Sequence, residues 1–188
     1  SSAENSLREL HTDHLELLLI HRPSPLLHPD EVAAAFDELK KSGKVLHFGV
    51  SNFNHRQFHA LNSRVKLVTN QIQISAMHLD PFFEGFLDLC LQHEIKPMAW
   101  SPLGGGAVFA KNPTPRALRI REVCAKLVEK HNAGGLDEIL YAFLLKHPAG
   151  IFPILGTTKK ERIKSAVDSL KIKLSDEDWF EIWQASKG

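Results

Sequence analysis

Short apolar runs alternate along this chain with segments of helical periodicity. The first run, LELLLI at 15–20, predicts a strand buried on both faces. Pro29 then opens a helix whose apolar positions Val32, Ala35, Phe36 and Leu39 recur at the 3.6-residue period, and Gly43 ends it. A second strand is predicted at 45–50, a helix at 55–61 and a third strand at 68–74. A helix follows at 83–91 with Phe86, Leu87 and Cys90 on one face, then a fourth strand at 96–100. The stretch 104–113, rich in Gly, Ala and Asn, predicts a loop. Helices follow near 116–131 and 137–146, and a fifth strand at 151–155. Thr158-x-x-Glu161 predicts the cap of a helix over 159–170. Ser175-x-x-Asp178 opens a last helix with Trp179, Ile182 and Trp183 as its apolar stripe. Ahead of all these, Ser1-x-x-Glu4 reads as a capping box for a helix running through Leu7, Leu10 and His11.

Five strand–helix alternations predict a parallel sheet with right-handed crossovers. A closed eight-stranded barrel takes about 250 residues. Five strands in 188 residues therefore suit the later portion of a (β/α)8 barrel, an α/β fold, as a single domain over 1–188. An open doubly wound sheet fits the strand count, but its G-x-G-x-x-G phosphate turn is missing, and Gly104-Gly105-Gly106 does not supply that spacing. The absence of an initiator Met and the opening on a helix cap lead to the expectation of a fragment whose upstream strands lie elsewhere.

Composition narrows the function classes. Lys plus Arg number 23 against 22 Asp plus Glu, so no electrostatic case for nucleic acid or an anionic membrane follows. Cys90 and Cys124 sit in apolar segments without metal-type spacing and read as buried thiols of a reducing compartment. No apolar run approaches a membrane span and no signal peptide precedes the first helix, so cytoplasm is the expected location. His55 and His59 stand at i, i+4, but the H-E-x-x-H glutamate is missing and no metal is expected.

In parallel barrels the reacting groups cluster at the carboxyl ends of the strands. Those ends carry His21, Ser51-Asn52, Asn70-Gln71, Trp100-Ser101 and Gly156-Thr157-Thr158. His21 is either a hydrogen-bonded structural group or a catalytic one held at the mouth by Pro23. Trp100 suits core packing or a flat stacking surface. Asn52 suits a turn, or with Gln71 the binding of another carboxamide. Gly156, Thr157, Thr158, Lys159, Lys160 and Arg162 crowd donors and cations at a helix start, as a solvated basic turn or as an anion site.

The segments LLLIHRP, GKVLHFGVSNF, TNQIQIS, PMAWSPLGGG and PILGTTKKERI occur in the order found in the aldo-keto reductase family, and the chain resembles the short-loop bacterial members over nearly its whole length. The resemblance implies a (β/α)8 barrel that moves a hydride from a nicotinamide cofactor to an aldehyde or ketone. By position, His21 matches the histidine that hydrogen-bonds the substrate carbonyl. Ser51, Asn52 and Gln71 match the holders of the nicotinamide carboxamide, and Trp100 the aromatic residue stacked on the nicotinamide. Ser101, Pro102, Leu103 and Gly104 match the stretch beneath the pyrophosphate. Thr157, Thr158, Lys159 and Arg162 match the region around the adenosine 2′-phosphate, which implies NADPH rather than NADH.

The match has departures. Gly156 stands where many members carry Lys, and Ala166 where many carry Asn. The family's catalytic Asp, Tyr and Lys belong to earlier barrel segments. Tyr141 is the one tyrosine here. It falls in the apolar helix EILYAFLLK and is expected in the core. The 188 residues alone are thus expected to be inactive, within a full-length protein that is a monomer or weak dimer acting on a small carbonyl compound. Two other classes stay open at this stage: a non-catalytic cofactor-binding barrel that regulates a partner, and a phosphate-binding barrel isomerase or aldolase.

Overall fold

The computed structural model describes residues 2–187. The proposed Ser1-x-x-Glu4 box rests on Ser1, which lies outside the described residues. Two compact units divide the chain, one through Ile72 and one from Gln73 onward.

In the first unit, α1 (Ser2–Leu10), β1 (Leu15–Ile20), α2 (Pro29–Lys41), β2 (Val45–Ser51), α3 (His55–Asn62) and β3 (Leu67–Gln73) alternate as the apolar pattern requires. β1 and β2 pair in parallel from Leu15↔Val45 to Ile20↔Val50, and β2 pairs with β3 through Val50↔Asn70 and Ser51↔Gln71. Gly49, between the two ladders, has no room for a side chain. A Cβ there would stand 2.6 Å from Leu19 Cδ2 and 2.8 Å from the Thr69 carbonyl oxygen. Phe36 of α2 stacks on Phe48 of β2 with ring centres 4.0 Å apart, and Asn54 and Gln57 form the capping box that starts α3.

One expectation fails in this unit. β1 is not buried on both faces, since Leu15 alone is buried, Glu16 is exposed and Leu17–Ile20 are half-buried. The reason is that among the described residues β1 lies at the edge of its sheet, paired only with β2.

The second unit contains α4 (Asp80–Phe83), α5 (Phe86–Gln92), β4 (Met98–Trp100), a 3-10 turn (Gly104–Phe109), α6 (Pro115–His131), α7 (Leu136–Leu145), β5 (Phe152–Pro153), α8 (Lys160–Asp168), a second 3-10 turn (Ser169–Lys171) and α9 (Asp176–Ser186). β4 and β5 are parallel, with Met98↔Phe152 and Ala99↔Pro153 opposed. Both strands are shorter than their apolar runs. At the start of β4, Pro97 has no N–H to extend the ladder, while in β5 the N–H groups of Phe152 and Ile154, on either side of Pro153, donate to the Pro97 and Ala99 carbonyls at 2.8 and 2.9 Å. The helix expected over 83–91 is two helices, broken where Gly85 turns left-handed at φ 73°. The loop expected at 104–113 instead begins as the 3-10 turn, kinked at Gly105 and Gly106. Thr158 does not cap α8. Lys159 holds the N-cap position, and Thr157 Oγ1 accepts from the Lys159 N–H at 3.2 Å.

The core of this unit is α7, buried from Glu138 through Leu144. α9 closes on it as its stripe predicts. Trp179 Nε1 donates to the Phe143 carbonyl at 2.9 Å, and the two rings stack at 4.9 Å. The Ser175–Asp178 capping box forms. Asp178, itself 2% exposed, also accepts from Lys130 Nζ at 2.7 Å and pairs with His131 Nε2 at 2.8 Å, clasping α6 to α9. Cys90 and Cys124 are buried, and burial pushes both thiols up to about 12, so neither is a thiolate near neutral pH. Among the described residues no helix is long and apolar enough to cross a membrane.

Candidate functional site

Each unit gathers expected site residues. In the first, the ends of β2 and β3 are fastened to each other. Ser51 is buried and its Oγ donates to the Gln71 carbonyl at 2.8 Å, while the Asn52 N–H donates to the same oxygen at 2.9 Å. Asn52 adopts φ 59°, a left-handed conformation that Asn tolerates better than most residues. Its Nδ2 donates to Ser51 Oγ at 3.0 Å and to the His21 carbonyl at 3.3 Å. The turn reading of Asn52 is the one these bonds support: the amide that ties the turn also draws the end of β1 to the end of β2. Neighbouring Asn70, fully buried, donates Nδ2 to the Phe53 carbonyl at 2.7 Å and secures the far side of the turn. Among the described residues the side chains of Gln71 and His21 make no hydrogen bond or ion pair. The first is half-buried and the second exposed.

The second unit holds a cavity of about 810 Å³, within the size range of small-molecule sites. Trp100, Ser101, Pro102 and Leu103 line it from the end of β4, and Gly105, Gly106 and Phe109 from the following turn. Ile154, Gly156 and Thr157 line it from beyond β5, and Arg162 from the first turn of α8. Asp137 and Tyr141 complete the wall from α7. Their i, i+4 spacing puts both on one helix face.

Of the residues expected here, Trp100, Ser101, Pro102, Leu103, Gly156, Thr157 and Arg162 are brought together. Gly104, Thr158 and Lys159 do not line the cavity. Gly104 has a packing reason instead: at φ 60° its Cβ would lie 2.6 Å from Met77 Cγ. Gly156 is the opposite case, since a Cβ there meets nothing within 4 Å. Asp137, Tyr141, Ile154, Gly105 and Gly106 also line the cavity and were not among the residues expected there. The apolar run around Tyr141 correctly signals burial, and Tyr141 is only 5% exposed, but burial and a place on the cavity wall are compatible. The available signal was the polar pair Asp137 and Tyr141 on one face of an otherwise apolar helix.

The cavity is polar on one side. Among the described residues Arg162, Lys159 and Lys160 make no ion pair, so the basic turn brings uncompensated charge to a helix start that already favours anions. The Asp137 carboxylate accepts from Ser165 Oγ at 2.6 Å. Burial above all, helped by the Asp137 charge and opposed by Arg162, pushes the Tyr141 phenol up. It is therefore a neutral O–H donor at physiological pH. A flat indole, glycine-lined backbone and an unpaired guanidinium are groups suited to a phosphorylated ligand with a planar ring. Among the described residues no three His, Cys, Asp or Glu side chains are grouped to hold a metal ion.

Comparison with known proteins agrees with this architecture. The model of the Aldo/keto reductase family matches residues 1–187. The oxidoreductase YcsN of Bacillus subtilis is 49% identical over all of this chain and 63% of its own length. A 6-dehydroglucose reductase of Agrobacterium fabrum is 42% identical, over all of this chain and 62% of its own. An aldo/keto reductase of Klebsiella pneumoniae, solved in complex with NADP and acetate, superposes with a TM-score of 0.84 at 25% identity, covering 97% of this chain and 62% of that one. The chain thus spans about three-fifths of the length of these relatives. Its parallel strands and intervening helices form part of a (β/α)8 barrel, and the chain belongs to the aldo/keto reductase family.

Proposed function

We propose that residues 1–188 are the C-terminal part of an NADPH-dependent aldo-keto reductase that reduces a small aldehyde or ketone. The observation that carries this reading is the unpaired Arg162 guanidinium facing the same cavity as Trp100 and the Gly105–Gly106 turn. A guanidinium binds a phosphate monoester through two N–H donors, and NADPH differs from NADH by one such group. The relative solved with NADP and the relative named as a 6-dehydroglucose reductase support the same cofactor and a carbonyl substrate.

A bound nicotinamide cofactor supplies the hydride, and this chain's residues supply binding and orientation. Trp100 offers a ring face, the glycine turns let the backbone approach phosphate oxygens, and Arg162 takes the 2′-phosphate. The open amide of Gln71 and the Ser51–Asn52 turn suit a carboxamide. His21 is free to donate a hydrogen bond to a substrate carbonyl oxygen, which polarises it toward reduction. The general acid is not Tyr141, which packs in α7 with its phenol pushed up by burial. The acid belongs instead to the barrel segments ahead of β1 in the family's order. The 188 residues therefore bind cofactor weakly and turn over no substrate. Absorbance of the reduced nicotinamide, followed with the purified chain, NADPH and a reactive aldehyde, tests this. Steady consumption would mean that the acid is present after all. Tryptophan fluorescence in an NADPH titration of the full-length protein tests the cofactor reading itself.

A further inference from the structure

We propose that Tyr141 is a ligand-contacting residue that sets nucleotide affinity. Its phenol O–H donates a hydrogen bond to a phosphoryl oxygen of an adenine nucleotide held in the Trp100–Arg162 cavity. The inference rests on the nucleotide reading above and adds a contact from α7, an element to which that reading gives no role.

A buried tyrosine normally gives its hydroxyl a partner, because an unmet polar group in the interior is costly. Tyr141 is 5% exposed, yet its hydroxyl makes no hydrogen bond among the described residues. Nor is it one of the polar atoms sealed from solvent without a partner. The small accessible remnant of this side chain thus includes the hydroxyl, on a residue that lines the cavity.

The neighbouring charges identify the acceptor. Two charged groups share the cavity wall with Tyr141. Asp137 is engaged by Ser165 Oγ at 2.6 Å, whereas Arg162 makes no ion pair among the described residues. A neutral donor and a free cation facing one cavity call for an acceptor with several oxygens and negative charge, which a phosphate provides. Beside Asp137, a neutral O–H assists that phosphate without the desolvation of a second buried cation. Gly156, on the same wall, offers no side chain, and a Cβ there would meet nothing within 4 Å, which leaves room for a ligand.

The test is Tyr141→Phe in the full-length protein, which removes one oxygen and keeps the ring. Dissociation constants are measured by calorimetry for NADPH, for adenosine 2′-monophosphate and for inorganic diphosphate. Arg162→Leu is measured alongside. The expected result is a 5- to 20-fold weaker NADPH complex for Tyr141→Phe, an unchanged melting temperature, and a matching loss on one of the two phosphate probes. That loss identifies which phosphate is contacted. Tyr141→Met is the second variant, should Phe disturb packing, and must weaken NADPH at least as much. Binding of all three probes within twofold of wild type overturns the Tyr141 contact. If Arg162→Leu weakens NADPH while Tyr141→Phe does not, the nucleotide reading stands and the contact falls. If neither variant changes NADPH affinity, both fall.

Discussion

The turn at the ends of β2 and β3 and the wall of the Trp100–Arg162 cavity are both rich in polar groups, yet they use them differently. In the turn the donors meet protein acceptors: Ser51 and Asn52 both reach the Gln71 carbonyl, Asn52 reaches His21, and Asn70 reaches Phe53. In the cavity Arg162 and the Tyr141 hydroxyl meet none among the described residues. The glycines repeat the contrast. Gly49 has neighbours where a Cβ would stand, and Gly156 has none. Polar groups already satisfied hold a shape, and groups left unsatisfied on a cavity wall are available to a ligand. The first region uses most of its donors to fix the strand ends and leaves the Gln71 and His21 side chains open, whereas the second leaves a cation and a hydroxyl open on one wall.

The contrast breaks most directly at Gly49. Gly49→Ala forces a methyl against the Thr69 backbone and should destabilise the protein by about 2–3 kcal/mol, measured by urea denaturation. An unchanged midpoint would show that the β1–β2–β3 packing is loose. Arg162→Leu should weaken NADPH at least roughly tenfold, as expected for a charge-assisted pair, with stability unaltered. NADH should bind the variant and the wild type alike.

A third check uses pH. Burial works to raise the Asp178 carboxyl, but the hydrogen bonds from Lys130, His131 and the Ser175 N–H prevail and hold it at about 2. A carboxylate depressed in the folded state adds stability above its unfolded value, near 3.9, and that stability is lost as pH falls toward 2. Melting temperature should therefore drop across this window in the wild type, and less steeply in Asp178→Asn. Ser51→Ala removes one buried hydrogen bond and should cost about 1 kcal/mol. Gly156→Ala sharpens the contrast by its smallness: a stability change within about 0.5 kcal/mol, beside a measurable shift in NADPH affinity.

Much of this was legible along the chain. The alternation of apolar runs and helical stripes marked every strand and nearly every helix, because buried faces impose periods of 2 and 3.6 on local sequence. Boundaries went wrong where a single residue overrode the pattern: Gly85 split a helix, and Pro97 shortened a strand. The strand ends were legible as well, since most of the apolar runs stop at or just before a polar group, as at His21, Ser101 and Thr157.

What a linear reading determined was the element order, the parallel barrel type, the family and the strand-end residues, all carried by local pattern and motif. Only the tertiary structure decided which of those residues share a wall. It put Gly104 against Met77 rather than on the cavity, left Thr158 and Lys159 off its lining, and gave the buried Tyr141 a place on that lining as well as in the core. The physical reason is that burial is a property of a whole side chain and local sequence predicts it. The direction in which the last few buried atoms point depends on packing from elements far apart in the chain, and no local pattern encodes it.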